Sequence, residues 1–227
     1  SRSVLHRLKN GDKFFDMQKN LFDALIKENI VKNILFSKKV HNFLVSMLGP
    51  DLQYKIPTEF IINYKGREKN NYLFKNYHQE IWSGASTNTL LIWIPIFQKT
   101  TSGQMKLIKG SHLWGHIPHH NKKPIKLPEK YSEISTNCSL GDIIVFHTMT
   151  LHKSDFLSSN ENVVGRLSLA VRNFKYPING FEGLADWKIY TLSPHSIIER
   201  HLGNPELSPF RLSPKKMREK SLKDIEL

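Results

Sequence analysis

With 227 residues, 39% of them hydrophobic and 11% aromatic, the chain is long enough to bury one sizeable core. No apolar run approaches the ~20 residues that a membrane-spanning helix requires. Thirty-three Lys and Arg against 20 Asp and Glu give a net charge of +13, which gathers anions and suits nucleic acid, a membrane surface or an acidic small substrate, or equally a plain solvated surface.

The single cysteine, Cys138, excludes an internal disulfide and any thiolate cluster for zinc or iron–sulfur. A reducing, cytoplasmic setting is therefore expected. The opening SRSVLHRLKNGD has neither Met nor an apolar signal core, as expected of a trimmed chain and not of an exported one.

From Lys13 to about Leu48 apolar residues recur at three and four: Phe14, Met17, Leu21, Leu25, then Val40, Phe43, Leu44, Met47. The spacing predicts two helices within residues 1–50, stopped by Gly49-Pro50. From Thr58 the period shortens. TEFIINYK, NYLFKNYHQEI, TLLIWIPIF, GDIIVFHTMTLH and GRLSLAVRNF read as strands, the third apolar throughout and so covered on both faces.

Helices followed by closely spaced strands predict a mainly β fold with flanking helices, a double-sheeted jelly roll whose core spans 58–175. Within it, the stretch from Gln98 to Asp142 reads as a long functional loop. Residues 176–227, rich in Pro, Gly and Ser and ending in PKKMREKSLKDIEL, read as a capping extension with a fraying tail. The whole of 1–227 is expected to be a single domain.

A divalent metal that activates oxygen needs a few firm ligands and several open positions, which two imidazoles and a carboxylate on one octahedral face supply. In YHQEIW, His78 and Glu80 would share one face of a strand while Gln79 points away. A third ligand must come from a distant strand. IIVFHTMTLHKSDF offers His147 and His152, and Arg166 follows His152 by 14 residues (166 − 152), with Ser168 two further on. A guanidinium holds a carboxylate by paired charge-assisted hydrogen bonds and a serine hydroxyl adds another, so Arg166 and Ser168 suit the far carboxylate of a 2-oxo diacid.

H-x-E, a distal LHKS histidine and R-x-S together resemble the Fe(II)- and 2-oxoglutarate-dependent oxygenases, specifically the phytanoyl-CoA dioxygenase-like family. Gly110-Ser111-His112 and LGDIIVFHTMTLHKS extend the likeness, which covers roughly residues 58–175. The resemblance implies a double-stranded β-helix of cupin-like type holding Fe(II) through His78, Glu80 and His152, with Arg166 and Ser168 on the 2-oxoglutarate C5 carboxylate. It further implies that O2 and 2-oxoglutarate are consumed, succinate and CO2 released, and a C–H bond of a small or carrier-linked metabolite hydroxylated. The basic balance favours an anionic substrate. Most members carry Asp where this chain has Glu80; Glu still supplies an oxygen ligand, and a carboxylate here argues for oxygenation over halogenation.

Other features have plainer readings. His147 lies five residues before His152, hence on the opposite face of a regular strand, as a core histidine beside the site; its exchange with His152 as ligand is the alternative. HLWGHIPHH, with His112, His116, His119 and His120, reads as a solvated or substrate-facing lid. Trp82 and Trp93 read as core. NYKGREKNN with Tyr64 and Tyr72 has the composition of a nucleic-acid surface without a nucleic-acid fold signature, so nucleic acid is not the expected partner. The rivals to the oxygenase reading are a non-catalytic jelly-roll binding module and a nucleic-acid-directed oxygenase.

Overall fold

The computed structural model describes residues 16, 19–21, 23–25, 27–56, 59–64, 76–98, 105–154, 163–175 and 186–202. Phe14, Met17, the basic stretch at 65–75 and the tail beyond 202 lie outside the described residues.

Helices α1 (Ile30–Phe36) and α2 (Lys38–Leu48) precede the first strand. Gly49 ends α2 at φ 81° while its N–H bonds Val45 O at 2.8 Å, a left-handed stop that glycine adopts without strain. Val31, Leu35 and Leu44 are buried, with Val40, Val45 and Leu48 packed beside them. The helical period was legible, but only part of the apolar repeat is covered: Phe43 and Met47 are 42% and 58% exposed. The face that packs runs 40–44–48, sharing Val40 and Leu44 with the apolar repeat and turned from it by roughly 50°.

Eleven strands follow among the described residues: β1 (Leu52–Ile56), β2 (Glu59–Tyr64), β3 (Thr89–Gln98), β4 (Met105–Ile108), β5 (His119–His120), β6 (Lys123–Pro124), β7 (Glu133–Thr136), β8 (Ile144–His147), β9 (His152–Ser154), β10 (Val163–Asn173) and β11 (Asp186–Thr191). Helix α3 (Pro194–Leu202) follows β11. The main sheet has the order β11–β1–β10–β3–β8, with β2 also paired to β10. A second sheet runs β7–β4–β9, and β5 and β6 form a hairpin.

Alternation along β10 separates two environments. Leu167, Leu169 and Val171 oppose Ile94, Ile92 and Leu90 of β3, and all six join the core against α1 and α2. The alternate residues Arg166, Ser168 and Ala170 oppose Pro95, Trp93 and Leu91 on the other face. That face looks into the jelly roll: Arg166 reaches Ser154 of the second sheet, and Phe146 of β8 meets the His152 ring.

Four sequence expectations change. GDIIVFHTMTLH is two strands in different sheets, β8 and β9, separated by a turn at Thr148–Thr150; its continuous apolar run hid the turn. The stretch from Gln98 to Asp142 carries four short strands instead of one loop. NYLFKNYHQEI does not stay extended through Ile81: His78 makes an isolated bridge and Glu80 begins a 3-10 helix, Glu80–Ser83. The main sheet also takes in β1 and β11, which lie outside the expected core span.

Candidate metal centre

His78 and His152 are held face to face by the backbone. His78 N–H donates to His152 O at 3.0 Å and His152 N–H to His78 O at 3.1 Å, the exchange typical of a hydrogen-bonded antiparallel pair. Their rings stand 4.2 Å apart between centroids. Each ring is also oriented by its own Nδ1, which donates to Asn76 O (2.8 Å) in His78 and to Thr150 O (2.9 Å) in His152. Since a carbonyl only accepts, the neutral ring keeps its lone pair on Nε2.

Both Nε2 atoms turn towards Glu80 Oε1, at 3.1 Å from His78 and 3.6 Å from His152. All three donor atoms lie within 4.8 Å of one another. Metal bonds of about 2.1 Å at right angles would separate neighbouring donors by about 3.0 Å, so the spacing fits one face of an octahedron. Three electron-rich atoms converging on a common point repel unless a cation sits among them. Two imidazoles and a carboxylate are a donor set suited to Fe(II).

Glu80 reaches this point by a route the sequence did not suggest. It is the first residue of the 3-10 helix, with its N–H bound to Thr148 O at 2.9 Å, so its side chain returns towards the histidines instead of standing beside His78 on a strand. The turn at 148–150 organises the whole centre. Thr148 O holds the Glu80 backbone, Met149 O accepts from Gln79 Nε2 at 2.7 Å, and Thr150 O fixes the His152 ring.

His147 is directed elsewhere. It opposes Leu90, a core residue on the helix side of the main sheet, and its neighbour Phe146 meets His152 instead. Its Nε2–H donates to Thr87 O at 2.5 Å and its Nδ1 accepts from Met149 N–H at 3.2 Å. Burial, opposed by the Thr87 hydrogen bond and aided by nearby His112, holds its pKa below the usual histidine value. It braces the turn as a neutral ring.

Deeper in the barrel, Arg166 is only 7% exposed. One guanidinium nitrogen donates to Ser154 Oγ at 2.8 Å, and the group lies over Trp93 at 5.0 Å from the ring centroid. Ser154 and His152 are both buried, two residues apart on β9, so one strand face joins the triad to the arginine. Ser168 shares the interior face of β10 with Arg166 and is half-buried.

Three residues of this neighbourhood carried no assigned role in the sequence. Ser154 stood inside the LHKS motif without a role. Ser111 donates to Ile108 O and accepts from Leu151 N–H at 2.8 Å, fastening the residue before His152. Gln79 is fully buried and spans three backbone groups. A polar residue between two candidate ligand positions was the only signal for it, and hydrogen-bond partners are not written in a local pattern.

Of the histidines in HLWGHIPHH, His112, His116 and His120 are exposed. His119 stacks on Trp82 at 4.5 Å between centroids. Among the described residues, His78, Glu80 and His152 form the one group of three or more His, Cys, Asp or Glu spaced to hold a metal. No helix among them is long and apolar enough to cross a membrane.

The family model described as phytanoyl-CoA dioxygenase matches residues 6–161, more than half of the chain. Among curated proteins none matches. Among solved structures, a non-heme monooxygenase, ThoJ in its apo form, aligns at TM-score 0.53 and 14% identity over 85% of this chain and 76% of its own. The epimerase SnoN, in complex with Fe3+, alpha ketoglutarate and nogalamycin RO, aligns at TM-score 0.55 and 16% identity over 70% of this chain and 64% of its own. At such identities the likeness is one of fold.

Proposed function

This chain belongs to the phytanoyl-CoA dioxygenase family of Fe(II)- and 2-oxoglutarate-dependent oxygenases, and from that premise we propose that His78, Glu80 and His152 hold its iron and that it hydroxylates a C–H bond of a small anionic metabolite. The observation that carries the reading is the convergence of two oriented Nε2 lone pairs and one carboxylate oxygen within 4.8 Å. With iron and 2-oxoglutarate bound, the centre supplies oxygen activation: one atom of O2 goes to the substrate and the other to succinate, with release of CO2.

The chain's own residues supply placement. Arg166 pairs with the C5 carboxylate of 2-oxoglutarate through its guanidinium fork, with Ser154 and Ser168 as hydroxyl partners. The Trp93 ring supports the guanidinium by a cation–π contact. An anionic substrate is favoured by the net charge of +13, with Lys109, Lys122, Lys123, Lys126 and Lys130 all exposed.

The test is turnover of 2-oxoglutarate. Purified protein with Fe(II) should release succinate slowly without substrate and faster with an anionic substrate, and His152→Ala should release none. Equal release by His152→Ala would remove the triad from the account.

A further inference from the structure

Gln79 stands in the chain between two of the three proposed ligands, yet its side chain turns away from them. It is completely buried. Its Nε2 donates to Gly115 O at 2.9 Å and Met149 O at 2.7 Å, while its Oε1 accepts from Ile117 N–H at 3.0 Å. An amide offers two donors and one oxygen, and here both donors and the oxygen are engaged by backbone groups of two separate segments.

Both segments are tied to the centre by hydrogen bonds. Met149 is the middle residue of the turn whose flanking carbonyls receive the Glu80 N–H and the His152 Nδ1–H. Gly115 and Ile117 close a segment that begins at Ser111, and Ser111 accepts from Leu151 N–H, the residue before His152. The 111–117 segment is thus pinned at one end beside the distal histidine and at the other beside the His78–Glu80 pair. Between the pins His112, Leu113 and Trp114 are exposed, Leu113 by 79%.

We propose that Gln79 is a positioning residue that couples the 111–117 segment to the metal triad, so that metal binding orders the segment and a substrate contact at His112–Trp114 is felt at the ligands. The proposal rests on the triad holding a metal. Coupling between the two is reciprocal: whatever metal binding does to the segment, fixing the segment does to metal affinity. Groups that orient ligands from outside the coordination sphere change metal affinity by roughly 10–100-fold when removed.

The experiment uses Co(II) as a spectroscopic probe, read by visible absorption, together with amide hydrogen exchange of the native protein with and without Co(II). In the native protein Co(II) should slow exchange at Ile117, whose N–H is held by Gln79 itself, and this measurement needs no variant to fold. Gln79→Met, close in size but unable to make the three hydrogen bonds, should bind Co(II) about 10-fold more weakly and lose the Co(II)-dependent protection of Ile117. If the native protein binds Co(II) with no change at Ile117, or if the variant keeps both affinity and protection while only its melting temperature falls, the coupling is refuted and Gln79 is a packing residue. If the native protein takes up no Co(II), the triad reading itself fails and the coupling falls with it.

Discussion

Arg166 of the main sheet donates to Ser154 of the second sheet at 2.8 Å, two residues along the strand from His152. This contact crosses the barrel, and it places a fixed positive charge one step below the triad on the same strand face. Under the proposed function this predicts a division of labour that can be read out separately: iron at the histidine end, a carboxylate at the arginine end.

Ser154→Ala removes a hydrogen bond to a charged donor, worth about 1.5–3 kcal/mol, and frees the guanidinium to tilt. The apparent 2-oxoglutarate affinity should fall by about tenfold with Fe(II) affinity unchanged. Arg166→Ala should cost more, and Arg166→Lys should not restore it, because an ammonium cannot present the paired donors of a guanidinium. Isothermal titration with each ligand separates the two effects; a loss of Fe(II) affinity in Ser154→Ala would contradict the division.

Glu80→Asp tests whether the longer side chain is a requirement of this backbone. With the Glu80 N–H fixed to Thr148 O, removing one methylene retracts the carboxylate by about 1.5 Å. Metal affinity should therefore drop at least tenfold, even though Asp is the commoner residue of the H-x-D pattern. Equal or tighter binding in the Asp variant would mean that the 3-10 turn adjusts freely.

His147 gives the protein a pH signature. Its folded pKa lies below the ordinary value of 6.5, chiefly through burial, so the unfolded chain takes up the proton first. Stability from this group is complete above about pH 6.5 and is lost as pH falls through the folded value. Thermal unfolding from pH 7.5 to pH 5 should show a steeper loss in the native protein than in His147→Asn. Parallel curves would show that His147 does not brace the turn as a neutral ring.

Gly165→Ala should be damaging out of proportion to one methyl group. A Cβ at Gly165 would overlap the Phe97 ring, and the β10–β3 register shifts between Gly165 and Arg166. Overpacking of this kind costs about 1–3 kcal/mol, enough to lower the melting temperature by roughly 2–4 °C per kcal/mol in a chain of this size. An unchanged melting temperature would show that Phe97 rotates aside.

The sequence carried what depends on residue type and short spacing. H-x-E, LHKS and R-x-S named His78, Glu80, His152 and Arg166 before any fold was known, and the structure brings the first three together and sets Arg166 beside Ser154. What depends on backbone reversal was hidden. The turn at 148–150 contains Thr and Met, residues without strong turn preference, so β8 and β9 read as one strand and His147 was placed by a regularity that does not persist. The covered part of the α2 apolar repeat was hidden for a related reason: Val40, Phe43, Leu44 and Met47 are all apolar, and only the partner surface decides which of them it covers. The roles of Ser111, which lies in the GSH motif, and of Gln79 were hidden because the partners that tie them to the centre lie 40 and 36–70 residues away.

The central claim is that His78, Glu80 and His152 bind Fe(II) with room left for 2-oxoglutarate. Anaerobic titration of the native protein with Fe(II), then with 2-oxoglutarate, tests it most directly through the weak visible charge-transfer band that the chelated pair produces. The band should appear in the native protein and be absent from Glu80→Ala and His152→Ala. A native protein that gives no band with both components in excess would contradict the account.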